Sequence, residues 1–367
     1  MPIGLSFQFL SYIILMATIS PNEFQKDIPF FLYNMLNISE SESLVVKLIP
    51  GPTTSVTLQV RSEEDPNLKA FVKTVKKGGV SGAHIRLGIR EVRFYQFIEA
   101  LDTDPYPNIP HCLNSHISED EDAYFLVLED LSDSHQDYQS LDFSNLENWR
   151  LGLRALAKFH QSFTGKLSEE QIQAHADDET SVEGYMDKLH DAYGKFKAGN
   201  RKYISDATFD LLESCIPLIR RFELEKVQRV PENLLTTLLH RDAHLKNFLY
   251  PRDAVGETII VDWQFWGVGI GAFDLRHLLG SALPKELRGN QEELVRYYHQ
   301  VFAEGLSADY AFEDCWFDYR KGIVDNLFMP VWQYSGFGWD YDRWGKTLGS
   351  AVENFYDLKC DQFLREI

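Results

Sequence analysis

The stretch LLHRDAHLKNFLY, Leu238 to Tyr250, read together with TIIVDWQ, Thr258 to Gln264, decides how this chain is to be understood. An acid, Asp242, stands five residues before an amide, Asn247, and twenty residues before a second acid, Asp262, which closes an apolar strand. Phosphoryl transfer from a nucleotide asks for that set. One carboxylate orients an acceptor hydroxyl and takes its proton, while a second carboxylate and a neutral oxygen donor hold Mg²⁺ on the phosphates. The same segment also reads as H-x-D-x-H, in which His240, Asp242 and His244 could be three metal ligands of a metal-dependent hydrolase. A scaffold that keeps these residues without transferring phosphate is a further alternative.

Upstream, Leu44 to Leu131 is strand-like, with β-branched runs VVKLIP, SVTLQVR, AFVKTV and YFLVLEDL separated by turn formers. One helix interrupts them over Ile89 to Leu101, its apolar face formed by Val92, Tyr95, Phe97 and Ile98. From about Asn145 the pattern turns helical, and the second half shows one strong strand, Thr258 to Trp263. Strands first and helices afterwards predict an α+β protein in two lobes, a small antiparallel-sheet N-lobe and a larger, mainly helical C-lobe. The expected divisions are an uncharged N-terminal extension (1–22), the N-lobe (23–131) and the C-lobe (132–367), with the polar stretch Ser132 to Ser144 as connection.

With these residues in view, the chain resembles the aminoglycoside/choline phosphotransferase superfamily of protein-kinase-like fold. It looks most like the ecdysteroid-kinase-like branch, through LEDL, LAKFH (Leu156 to His160), HxDxHxxN and DWQ taken in order. The resemblance implies a strand lysine, Lys73, paired with a helix glutamate, Glu91, eighteen residues on, the lysine contacting the phosphates of ATP. It implies adenine contacts at the backbone of Glu129 and Leu131, Mg²⁺ ligation by Asn247 and Asp262, and Asp242 as the catalytic residue. His240, His244 and Asp274 would stabilise the loop, and His160 would be a core or loop-facing histidine. The loop IPGPTTSV lacks GxGxxG, so its phosphate contacts fall to Thr53, Thr54, Ser55 or local N–H groups. Arg241 stands where these relatives usually carry glycine, and no APE-terminated activation segment follows DWQ, which argues against protein substrates. The implied function is transfer of the γ-phosphate of ATP to a hydroxyl of a small metabolite, steroid-like, aminoalcohol or antibiotic acceptor.

Composition sets the remaining bounds. The 367 residues carry 55 acidic and 36 basic side chains, a net charge of −19 that disfavours nucleic acid and anionic lipid as partners. The four cysteines form no CxxC pair, so reduced thiols in a cytoplasmic protein are expected. The first 22 residues carry no charge, yet polar residues interrupt the apolar run; a start at Met16 or a loosely attached extension is expected, and no stable membrane association. GVGIGA, Gly267 to Ala272, matches a dinucleotide fingerprint but lacks the βαβ context, and reads as a turn before a helix. The aromatic-rich stretch Phe328 to Trp344 reads as core packing, with lining of an acceptor pocket as the alternative.

Overall fold

The computed structural model describes residues 30–39, 43–49, 55–75, 82–101, 108–230, 235–253, 255–306 and 309–366. The expectations for segment 1–22 and Met16, and for Gly51, Thr53 and Thr54, lie outside these residues. The chain divides into two compact units, one of residues 1–136 with 251–266 and the other of 137–250 with 267–367.

The first unit is built on a five-stranded sheet. Strands β1 (Leu44–Ile49), β2 (Ser55–Ser62), β3 (Lys69–Val75), β4 (Cys112–Ile117) and β5 (Tyr124–Glu129) lie in the order β1-β2-β3-β5-β4, every neighbour antiparallel. Side chains alternate between faces along each strand. Leu58 and Val60 of β2, Ala70 and Val72 of β3, and Val127 of β5 gather with Leu32 and Met35 of helix α1 (Phe30–Leu36) in one core. The alternation leaves Lys73 on the other face from Ala70 and Val72, in register with Thr57 and Leu126. The long helix α2 (Gly82–Ala100) buries Ile89, Val92, Phe94, Tyr95 and Ile98. It begins seven residues before the apolar periodicity does. A glycine governs its approach to β5: a Cβ on Gly88 would overlap the ring of Tyr124.

The second unit is mainly helical. Helix α3 (Leu146–Phe163) is capped by Asn145, whose side chain accepts from the Glu147 N–H, and it buries Trp149, Leu153, Leu156, Phe159 and Phe163. After it come α4 (Glu169–His175), α5 (Glu179–Asn200) and α6 (Asp206–Arg229), then α7 (Gln291–Ala303), α8 (Phe312–Asn326), α9 (Met329–Phe337) and α10 (Tyr341–Asp357). Among the described residues, no helix is long and apolar enough to cross a membrane. Cys215, Cys315 and Cys360 are buried and Cys112 is half-buried, all as free thiols.

The strands of the second half outnumber the single one expected. Besides Ile259–Ile260 there are β6 (Thr236–Leu239), a four-residue strand Phe248–Pro251 and β7 (Gly267–Ile270). Strand β7 corrects the reading of GVGIGA as a turn. Gly267 to Ile270 pair antiparallel with Leu239 to Thr236, because the glycines leave room for neighbouring side chains. A Cβ on Gly269 would press on Leu239, and one on Gly271 on the Tyr298 hydroxyl and the His160 ring.

Candidate active site

Within the first unit, three residues distant in sequence meet at the sheet. Lys73 Nζ lies 2.8 and 3.1 Å from the two carboxylate oxygens of Glu91, and 3.7 Å from Asp262 Oδ1. Burial penalises the ammonium, but the carboxylates of Glu91 and Asp262 outweigh that penalty and hold Lys73 above the ordinary lysine range. Glu91 also accepts a hydrogen bond from the Trp263 N–H, which ties the DWQ turn to α2.

Two indoles complete that tie, and sequence reasoning missed both. Trp263 stacks on Phe94 at 4.2 Å between ring centroids, and Trp266 Nε1 donates to the Arg90 carbonyl at 2.9 Å. They set the backbone at Asp262, whose φ of 71° lies in the left-handed region that aspartate tolerates better than most residues.

The end of β5 is fastened just as firmly. Asp130 is buried and accepts from Gln59 Nε2 at 2.8 Å, Arg61 Nε at 3.0 Å and the Ser132 N–H at 2.9 Å. Its own conspicuous place in LEDL was the signal that could have found it. Around it, the Glu129 carboxylate accepts from the His111 N–H, and the Leu131 carbonyl from the N–H groups of Ser134 and His135. Ser55 opens β2, and its hydroxyl shares a hydrogen bond with Tyr124.

The second unit holds Asp242, Asn247, His240, His244 and Asp274. Asp274 grips the loop from beneath: its Oδ2 accepts from the His240 N–H at 2.6 Å and its Oδ1 from the Arg241 N–H at 2.8 Å. His160 approaches the same carboxylate at 3.3 Å and the Tyr298 hydroxyl at 2.7 Å. The loop then closes on itself, with the Asp242 N–H directed to His240 Nδ1 at 3.2 Å and Asn247 Nδ2 donating to the Asp242 carbonyl at 2.9 Å. His244 Nε2 stands 3.8 Å from Asp242 Oδ2.

This geometry bears on the metal question. Among the described residues, no three His, Cys, Asp or Glu side chains are grouped to hold an ion, and His240 spends Nδ1 inside its own loop. A hydrolase centre on His240, Asp242 and His244 has no support there. Mg²⁺ needs less: it takes hard oxygen donors and is held by one or two protein ligands plus substrate phosphates. The Asp262 carboxylate, about one-third exposed, suits it. So does Asn247, whose amide nitrogen is already engaged, leaving its oxygen as the donor.

Asp274 gives a pH prediction. Burial alone would raise its carboxyl, but the hydrogen bond from His160, the charges of His160 and His240 and the His240 N–H pull it down to about 2 from 3.8. A depressed carboxyl contributes stability that is present above its unfolded value and is lost as pH falls through the folded one. Nearly two units in a buried group correspond to about 2 kcal/mol, lost between roughly pH 4 and pH 2. Urea unfolding of Asp274→Asn should therefore show a weaker pH dependence across that window than the wild type. Identical slopes would remove the carboxylate from this role.

The aromatic stretch 328–344 divides between core and surface. Phe328 and Trp344 are buried in the core and Phe337 is 69% exposed. A cavity of about 250 Å³ in the second unit, bordered by Arg241, is lined by residues of α5, α6, α8 and β7 and by none from 328–344.

Comparison with known proteins agrees with this architecture. A family model described as "Ecdysteroid kinase-like family" matches residues 55–308. No curated protein matches the chain. Among solved structures, a putative aminoglycoside phosphotransferase from Ralstonia eutropha JMP134 superposes with a TM-score of 0.55 at 14% identity, covering 90% of this chain and 96% of that one. An ethanolamine kinase from Plasmodium vivax gives 0.55 at 14% identity over 99% and 91%. The streptomycin–ATP ternary complex of APH(2'')-IIa gives 0.53 at 14% identity over 96% and 99%. At such identities the likeness is one of fold, the protein-kinase-like fold.

Proposed function

This chain belongs to the ecdysteroid kinase-like family, and on that premise we propose that it is a small-molecule kinase moving the γ-phosphate of ATP to an acceptor hydroxyl. Lys73, oriented by Glu91, contacts the nucleotide phosphates. Asp262 and Asn247 are Mg²⁺ ligands, and Glu129 and Leu131 offer backbone groups to adenine. Asp242 orients the acceptor hydroxyl and receives its proton. Mg²⁺, when bound, neutralises charge on the transferring phosphoryl group; the remaining rate gain comes from positioning and fixed charge. The observation that carries this reading is the meeting of Lys73 with Glu91 and Asp262, since a half-buried cation between two carboxylates offers phosphates a ready partner.

The acceptor is assigned to the cavity beside Arg241. Its charged walls are already engaged: Arg241 with Asp177, Lys226 with Glu223, Arg276 with Asp325, which also accepts from the Tyr185 hydroxyl, and Asp274 with the His240 and Arg241 N–H groups and His160. Walls with no spare counter-ion suit a neutral hydroxylated molecule better than a polycation. The test is a panel of neutral polyols, steroid-like alcohols, amino alcohols and aminoglycosides incubated with ATP, with and without Mg²⁺, following ADP release. Mg²⁺-dependent release stimulated by a neutral alcohol is expected. MgATP binding without transfer to any acceptor would favour a non-catalytic pseudokinase instead, and absence of MgATP binding would overturn both readings.

A further inference from the structure

Arg241 occupies a backbone position that suits glycine. Its φ of 64° is left-handed, a conformation disfavoured by roughly 1–2 kcal/mol for a residue with a Cβ and open to glycine. The side chain shows what the arginine does there. Its Nη2 lies 2.7 Å from Asp177 Oδ2 and its Nη1 3.4 Å from Asp177 Oδ1, and Nη2 also reaches the Val268 carbonyl at 3.4 Å.

To get there the guanidinium passes over Gly267, so closely that a Cβ on that glycine would overlap it. The far end is fastened too, because Ala176 forms a parallel bridge with Val268. One side chain therefore runs from the loop bearing Asp242, across β7, to the connection between α4 and α5. Asp177 is about half exposed, so the ion pair contributes only about 0.2–1 kcal/mol to the fold. Its effect falls on where the loop sits.

We propose that Arg241 is a positioning residue, a strut whose pairing with Asp177 through the Gly267 gap holds the loop bearing Asp242 in its working place. The proposal rests on the reading of Asp242 as the group that receives the acceptor's proton. Misplacing such a group by about 1 Å costs up to about 10²-fold in rate.

The full chain is assayed for ADP release from MgATP with water as acceptor, beside hydrogen exchange of the segment 238–248. Asp177→Asn and Gly267→Ala should each lower turnover about tenfold, leave the KM for MgATP within twofold, and speed exchange of the loop at least fivefold without lowering Tm by more than a few degrees. Asp177→Glu, which keeps the carboxylate, should recover most of the loss. In an Arg241→Gly background, Gly267→Ala should add nothing, since no guanidinium remains to be displaced.

Equal effects of Gly267→Ala in both backgrounds, or wild-type turnover and loop exchange in Asp177→Asn and Gly267→Ala, would overturn the strut. If the wild type releases no ADP with water, the kinase reading is decided by the acceptor panel above, and if Asp242→Asn matches the wild type, the proton-accepting role of Asp242 fails. The exchange measurements then still decide for or against the strut.

Discussion

Asp242→Asn should lower turnover by about 10²–10⁴, the range typical of removing a positioned general base, while the KM for MgATP stays within about twofold. The substitution is nearly isosteric and spares the loop's own bonds. The Asp242 N–H still reaches His240, and its carbonyl still accepts from Asn247 at 2.9 Å. The loss should therefore appear in the chemical step and not in nucleotide affinity. Steady-state ADP release, with calorimetric titration of MgATP as control, makes the measurement. Unaltered turnover would take the proton-accepting role from Asp242, and a collapse of MgATP affinity would move that residue into nucleotide binding.

Asp262 should divide the effects the other way. Asparagine tolerates left-handed backbone, so Asp262→Asn keeps the turn at a φ of 71° while withdrawing the anionic oxygen. The indole contacts of Trp263 and Trp266 hold that turn independently of the carboxylate. We expect MgATP affinity to fall by about 100-fold, or about 2.7 kcal/mol, with Tm within a few degrees of wild type. The Mg²⁺ dependence of nucleotide binding should disappear with it. A titration indistinguishable from wild type would contradict the assignment of Asp262 as a metal ligand. A large drop in Tm would show instead that the carboxylate serves mainly to neutralise Lys73, 3.7 Å away.

The sequence was legible where local pattern and chemistry coincide. Strands β2, β3 and β5 follow from β-branched and apolar runs bounded by turn formers, and the helical period of α2 from apolar spacing. The pairing of Lys73 with Glu91, implied by the family resemblance, is seen at 2.8 Å. Periodicity lost its hold at short strands: β6 and β7 have four residues each, too few for alternation to show, and three glycines disguised β7 as a turn. It also misplaced the start of α2, because the first seven residues, Gly82 to Gly88, bring no apolar stripe of their own.

Long-range partners of polar side chains were out of reach. Nothing in the neighbourhood of Asp177 indicates that an arginine 64 positions later will pair with it. Trp263 was quoted within DWQ and Trp266 lies three residues on, yet only the folded chain shows them bracing α2. His160 is the middle case: its place in LAKFH made it core or loop-facing, and its contacts with Asp274 and Tyr298 show it to be both.

Asp130 leads one step further. Its carboxylate ties the last residues of β5 across to Gln59 and Arg61 on β2, so this edge of the sheet is rigid before any ligand arrives. On the proposed reading, a purine ring meets peptide groups already frozen in orientation, and little conformational freedom is surrendered on docking. Such a rim accepts bases whose edges already match it and yields poorly to analogues carrying bulk there. Nucleotide choice in this chain is then governed by fit at a rigid border and not by adjustment after entry.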